Sequence, residues 1–422
     1  MNSDQKRLVI RSGNVFDSHR GIITEDQAIV LCDNRIAWVG DESSFEREPN
    51  DNIIDGMNKT ILPGLIDCHL HLSGNASIEY EREHLRTTKV MYHYFALKNA
   101  QKQLISGVTC VRDCWSAPEW GPSLRRVLNQ GVFAGPRLLV ANLGITQWGN
   151  QEGIGPEWAL KEERETDEIP TGIDGMKHAV RERKYSGSDF IKIATTGGII
   201  HGIDSRLQTS LFMDEEVLAI TEEAHRLGMH VACHAYGPEG IQKAVEGGVD
   251  TIEHGIFINE EIADLMVQKG TYLIPTQVAM KSPPEALEKF PPEVVKKEKE
   301  VSEAMIPNHR LAFEKGVLIA VGTDSGAPVI PHSSTAKEIQ NMVENVGMAP
   351  NQALQAATIH GARAIKRDDE IGSIEKGKYA DLVICDKNPL EDLSILKNPR
   401  NIAYVIKDGK IMVRQGNIVY FG

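Results

Sequence analysis

The chain has 422 residues, 41% hydrophobic and 25% charged, which is ordinary globular composition and leaves room for one large domain with a smaller companion. A formal net charge of −13 argues against a nucleic-acid partner, because phosphate contacts need clustered Lys and Arg. The opening MNSDQKRLVIRSG has no apolar targeting core and no apolar run reaches membrane-spanning length, so the expectations are no membrane partner and a cytoplasmic protein.

In chain order, residues 8–16 (LVIRSGNVF) and 28–39 (AIVLCDNRIAWV) read as short strands, the second broken by a turn at Asp33-Asn34. Residues 61–71 (ILPGLIDCHLH) follow, an apolar strand running out into His69 and His71. Two histidines two apart on a strand point the same way, either as metal ligands or as a pair of core side chains. The middle then repeats a strand–helix unit. DFIKIATTGG (189–198) is a strand, and MDEEVLAITEEAHRLG (213–228) is a helix that Asp214 can cap, with Val217, Ile220, Ala224 and Leu227 on one stripe. Strand MHVACHA (229–235), helix 238–248, strand VDTIEHG (249–255), helix 260–270 and strand TYLIPTQ (271–277) continue it. Residues 281–316 are a proline-punctuated, charged helical insertion, with a solvated face or part of a lid as its two readings. GVLIAVGTDSG (316–326) is read as a further strand. The C-terminus returns to strands at 380–386 and 402–421, where Asp408-Gly409 is a hairpin signal.

Repeated strand–helix units with short connections imply a parallel sheet with right-handed crossovers. At about 300 residues they favour an α/β fold of the (β/α)8 TIM-barrel type, and no Gly-rich dinucleotide fingerprint follows any strand. The expected domains are a barrel over 63–365 and a small β-sandwich from both termini, 1–62 and 366–422. The six cysteines, scattered through apolar segments without zinc or redox spacing, are expected to be free thiols.

In such a barrel, chemistry collects at the C-terminal ends of strands. Five apolar runs deliver a ligand-type residue there: His69 and His71, Lys192, His234 before Tyr236, His254, and Asp324. Singly, His234 or His254 reads more often as a core histidine than as a ligand, and Asp324 as turn chemistry. Lys192 inside FIKIA is harder to place, because a buried lysine without a partner is costly.

The ordered set PGLIDCHLH, FIKIATTGG, HVACHAYG, TIEHG and GTDSG resembles the amidohydrolase superfamily of metal-dependent hydrolases over residues 8–422. HAYGPEGIQKAVEGGVDTIEHG and the ATIHGARAI helix are most similar to its imidazolonepropionase-like and Xaa-Pro dipeptidase-like branch, which includes ochratoxinase-type amidases. The resemblance implies a centre of two divalent metal ions, usually zinc. His69, His71 and Asp324 would hold one ion, His234 and His254 the other, and a Lys192 carboxylated by CO2 would bridge them. It implies hydrolysis of an amide C–N bond of a dipeptide or N-acyl amino acid by a metal-bridged hydroxide, with Asp324 as general base and Tyr236 as a hydrogen-bond donor to the oxyanion. The other reading on this scaffold is a cyclic-amide, carbamate or urea hydrolase, and Lys192 argues against the ring-opening relatives. His201 and Arg206 in GGIIHGIDSRLQ, and His332 after Asp324, are candidates for a substrate carboxylate. Where similar chains often carry a histidine after the third strand, this one has LGITQWGNQEG (143–153), so Trp148 is the candidate substrate contact there. The resemblance also implies a homo-oligomer.

Overall fold

The computed structural model describes residues 7–84, 86–116, 120–147, 169–200, 205–210, 212–279 and 281–422. Trp148 and His201 lie outside them, as does most of the acidic stretch 161–170.

Strands from both ends of the chain build one sheet. They are β1 (Arg7–Asp17), β2 (Ile22–Cys32), β3 (Arg35–Asp41), β4 (Asn52–Asp55) and β5 (Thr60–Pro63). In order along the sheet they meet β13 (Leu382–Cys385), β14 (Ile402–Lys407), β15 (Lys410–Arg414) and β16 (Asn417–Ile418), defined from the C-terminus. The two ends join through the antiparallel β5–β13 pair, which sets Ile61 opposite Ile384. Asp408 (φ 51°) and Gly409 (φ 71°) turn β14 into β15, the two positive φ values that a tight hairpin requires.

The middle of the chain forms two parallel sheets. One is β6 (Leu65–Leu70), β7 (Val108–Asp113) and β8 (Arg137–Val140). The other is β9 (Ile191–Ala194), β10 (Val231–Ala235), β11 (Thr251–His254) and β12 (Tyr272–Ile274). Isolated parallel bridges link them: Ile145 with Ile193, Leu273 with Ile319, and Leu70 with Ser325. Pairing thus runs from β6 through β12 to segment 318–325 and back to β6. The chain passes from the mixed sheet into β6 at Gly64, where a Cβ would come within 1.9 Å of Thr109 Oγ1.

Two sequence readings need correction. The helix expected at 213–228 spans Asp214–Arg226 and is capped at Met213, not Asp214, because the Glu216 carboxylate accepts the Met213 N–H at 3.0 Å. Segment 316–326 is not a continuous strand among the described residues. It pairs through Ala320 N to Leu273 O (3.1 Å) and Cys68 N to Val321 O (2.9 Å). The ladder then becomes irregular: the His69 carbonyl accepts both the Thr323 N–H (3.0 Å) and the Asp324 N–H (2.7 Å), the Asp67 carboxylate shares the Thr323 N–H at 3.1 Å, and Asp324 adopts φ 57°.

The insertion is helical, over Pro284–Leu287 and Pro292–Glu314, with Val294, Val301 and Met305 buried. All six cysteines are free, five of them buried. No described helix is long and apolar enough to cross a membrane.

Candidate metal centre

The strand-end histidines singled out above sit at or next to the ends of their strands, whereas Lys192 lies within β9 and Asp324 follows the irregular segment 318–323. His69 is the penultimate residue of β6 and His71 lies just past it. Lys192 is in β9, His234 in β10, and His254 ends β11. Register aligns them: His234 is level with Ala194, and Ala235 with His254. Strict strand geometry would turn alternate side chains away from the interior. The chain departs from it at the sites that matter: β6 shifts register between Asp67 and Leu70, and His254 (φ 70°) and Asp324 (φ 57°) are left-handed. Positive φ in bulky residues carries strain of order 1–3 kcal/mol and is found where function demands it.

The four imidazoles form a continuous series. Ring centroids lie 5.4 Å apart for His71–His69, 5.0 Å for His69–His254 and 4.6 Å for His254–His234. Asp324 closes one end: its Oδ1 is 3.0 Å from His71 Nε2 and 3.5 Å from His69 Nε2, and the three ligand atoms lie within 4.8 Å of one another. Tyr236 closes the other, its ring 4.6 Å from His234 and 5.0 Å from His254.

Lys192 is 2% exposed, and its Nζ has no hydrogen-bond partner among the described residues. Burial, with Lys192 adding to it, holds the His69 imidazole well below its ordinary pKa. Burial does the same for His254, helped by His234 and His69. Both rings are therefore neutral at pH 7, the form in which imidazole ligates a cation. At His71, burial acts downward but the Asp324 hydrogen bond and charge outweigh it and raise the pKa. Burial pushes the Tyr236 phenol well up, so it remains a proton donor. An orphaned buried amine beside imidazoles, two of them held neutral by burial, and one carboxylate fits a site for divalent cations.

The far nitrogens are also engaged. His254 Nδ1 meets Thr276 Oγ1 at 2.7 Å, and His69 Nδ1 meets Glu253 Oε2 at 2.5 Å. His309, from the insertion, places Nε2 2.8 Å from the carbonyl of His254, and Asn308 donates to the carbonyl of Ile256 at 2.8 Å. The insertion is thus tied to the strand end that carries a ligand-type residue. It also contributes Phe290, Val294, Val301 and Met305 to an apolar cluster that includes Tyr236.

The substrate-contact candidates are scattered. His332 is 3% exposed, with Nε2 3.0 Å from the Gly74 carbonyl, and burial lowers its pKa to about 4. As a neutral ring turned to backbone it offers no charge to a carboxylate. Arg206 is exposed, and its carbonyl accepts the Gly197 N–H at 2.9 Å.

Sequence reasoning missed Glu253, Arg112 and Asp67, all fully buried at the base of the site. The Asp67 carboxylate accepts from the Thr323 hydroxyl (2.7 Å) and the Thr335 hydroxyl (3.0 Å). The available signal was the one that exposed Lys192: a charge inside an apolar run, here in TIEHG, TCVRD and GLIDC. His69, Cys114 and Glu253 also lie within 4.8 Å of one another. Glu253 is already taken by Arg112 and Thr251, which leaves that trio poor as a cation site.

The amidohydrolase family model matches residues 60–412. A solved structure described as a Xaa-Pro dipeptidase with methionine bound in its active site is 34% identical, covering 96% of this chain and 99% of that one at a TM-score of 0.83. A prolidase structure complexed with N-methylphosphonate-L-proline is 28% identical over 97% of this chain and all of the other, at a TM-score of 0.85. The ochratoxinase of Aspergillus niger is 26% identical over 98% of this chain and 88% of its own. The chain belongs to the amidohydrolase family, with an α/β fold of TIM-barrel type, and is a hydrolase of amide and peptide C–N bonds.

Proposed function

We propose that this amidohydrolase cleaves the amide bond of a dipeptide or N-acyl amino acid at a binuclear centre, usually of zinc. His69, His71 and Asp324 would hold one ion and His234 and His254 the other. The observation that carries this reading is the orphaned amine of Lys192 beside four imidazoles. A protonated amine cannot ligate a cation, but a carbamate would offer two anionic oxygens. In forming it, the lone pair of the neutral Nζ would make an N–C bond to CO2 with loss of one N–H proton. Bound there, the ions supply an activated water and polarise the scissile carbonyl.

The chain's own residues do the rest. Asp324 takes the proton of the attacking water and delivers it to the departing amine, so one carboxylate serves as base and then acid. The Tyr236 hydroxyl donates to the carbonyl oxygen as negative charge develops on it. The apolar cluster around Tyr236 keeps bulk water from that oxygen, which strengthens the hydrogen bond.

We read the closed circuit of pairing from β6 to segment 318–325 as a (β/α)8 barrel over 63–365. Segments 1–62 and 366–422 are then a β-sandwich. Its support is an apolar cluster that joins Ile10, Ile29, Ile36 and Ile61 from one end to Leu382, Ile384 and Ile406 from the other. The names of the similar proteins, Xaa-Pro dipeptidase, prolidase and ochratoxinase, favour a substrate whose released half is an amino acid. We place the enzyme in the cytoplasm as a homo-oligomer acting on a small molecule.

A library of dipeptides and N-acyl amino acids, incubated with zinc-reconstituted protein, tests this by the amino acid released. The expected result is metal-dependent release from one structural class. No release from any member by a chain carrying two ions would overturn the substrate assignment.

A further inference from the structure

We propose that Glu253, held by Arg112 and Thr251, is a positioning residue that turns His69 so that Nε2, and not Nδ1, faces the metal centre. This rests on the reading of His69 as a ligand. The chain of contacts is continuous and buried. The Arg112 Nη2 donates to Glu253 Oε1 at 2.6 Å, and Arg112 Nε donates to the carbonyl of Cys68 at 2.5 Å, one residue before His69. The Thr251 hydroxyl donates to the same Glu253 oxygen. The other oxygen, Oε2, is 2.5 Å from His69 Nδ1. All four side chains are buried.

Each step fixes the next. Arg112 lies in β7, clamped between the Cys68 carbonyl and Glu253, with its guanidinium 5.2 Å from the Phe190 ring centroid. Two donors on Oε1 set the carboxylate plane, leaving Oε2 as the acceptor for one proton on Nδ1. A carboxylate cannot donate, so the hydrogen bond selects the Nδ1–H tautomer and leaves the Nε2 lone pair pointing towards Asp324, 3.5 Å away. A carboxylate behind a ligating imidazole also raises its basicity. Arg112 thus acts twice on one ligand, through the backbone before it and through its ring.

The competing role is structural: Glu253 would only neutralise a buried guanidinium. Glu253→Gln separates the two, because the amide preserves size but has one carbonyl oxygen to divide between Arg112 and His69. Zinc affinity, measured by chelator competition in bicarbonate buffer, should fall by about 10–100-fold while the protein remains folded. A lowered melting temperature with unchanged zinc affinity would overturn the proposal. If Glu253→Gln does not fold, Thr251→Val serves instead: it removes one donor at matched shape and should weaken zinc in the same direction by a smaller factor. Unchanged affinity in that variant would overturn it equally.

The metal-free protein supplies an independent reading. With histidines 15N-labelled and His69→Asn used for assignment, long-range proton–nitrogen spectra should show the His69 ring as the Nδ1–H tautomer. An Nε2–H tautomer would refute the positioning role whatever the metal content. Wild-type protein that shows the Nδ1–H tautomer but binds no zinc would refute the metal reading and leave the geometry of the ring intact.

Discussion

Two charge clusters in this molecule, one partly and one fully buried, differ in how their charges are paired. Where the mixed sheet meets the parallel strands, Arg137 pairs with Asp381 at 3.1 Å and Asp408 at 2.7 Å, and Lys407 pairs with Asp408 at 2.6 Å. Two cations face two carboxylates, and the Arg137 guanidinium lies 3.8 Å from the Tyr379 ring centroid. At the strand ends, Arg112 is matched by Glu253, but Lys192, equally buried, has no hydrogen-bond partner among the described residues. In the first cluster each charged side chain has an opposite charge within an ion-pair distance, although Arg137 Nε itself has no hydrogen-bond partner among the described residues. The second is complete only with something added. A matched buried cluster holds two parts of a fold together, whereas an unmatched one marks where the chain expects a ligand.

That contrast can be broken most directly at Lys192. Lys192→Ala should bring hydrolysis to background and cost one metal ion per chain by elemental analysis; full activity with both ions retained would erase the difference between the clusters. Asp324→Asn should come next, lowering kcat by about 10²–10⁴-fold with KM little changed, as expected for loss of a proton-transferring group. Steady-state kinetics read both parameters, and a loss confined to KM would remove Asp324 from the chemistry. On the matched side, Asp381→Ala should cost about 3 kcal/mol in denaturant unfolding, the low end for breaking a buried pair, because Asp408 still answers Arg137. Its metal content and turnover per folded molecule should be unchanged, and a loss of metal would mean that the clusters are not separate.

A fourth test is smaller and concerns pH. His225 Nε2 lies 2.8 Å from Oδ2 of Asp250, which precedes the start of β11 and so stands at the opposite end of that strand from His254. That hydrogen bond raises the His225 pKa despite partial burial. Burial alone would raise the Asp250 pKa, but the His225 and Val231 hydrogen bonds bring it below the usual carboxylate range. The His225 contribution is complete below its unfolded pKa of about 6.5 and is lost as pH rises through the raised folded value. The Asp250 contribution is present above about 3.9 and is lost as pH falls through the lowered one. His225→Gln should therefore lower the melting temperature most near pH 5 and little at pH 9, by less than about 1 kcal/mol for a half-exposed pair. An effect that grew with pH would contradict the assignment.

Much of the architecture could be read in advance because it is local. Period-2 runs, Asp408-Gly409 and the repeated strand–helix spacing each act within a few residues. The ligand-type residues were legible for the same reason, since the histidines and Asp324 follow apolar runs and Lys192 stands as a charge within one. The Arg112–Glu253 pair was not, because its partners stand 141 positions apart and meet only when β7 and β11 close around the same interior. The irregularity at 323–324 was also hidden, since the Thr323 N–H is shared between the His69 carbonyl and the carboxylate of Asp67, 256 residues earlier. His332 read as a candidate contact for a substrate carboxylate, and its loop position shows nothing of its contact with the Gly74 carbonyl.

The central claim is that the unanswered amine of Lys192 belongs to a two-metal centre. Protein purified in bicarbonate with added zinc, then passed through a desalting column, should carry two ions per chain by mass spectrometric metal analysis, and Lys192→Ala should carry fewer. Wild-type protein that retains no divalent metal under those conditions would contradict the account.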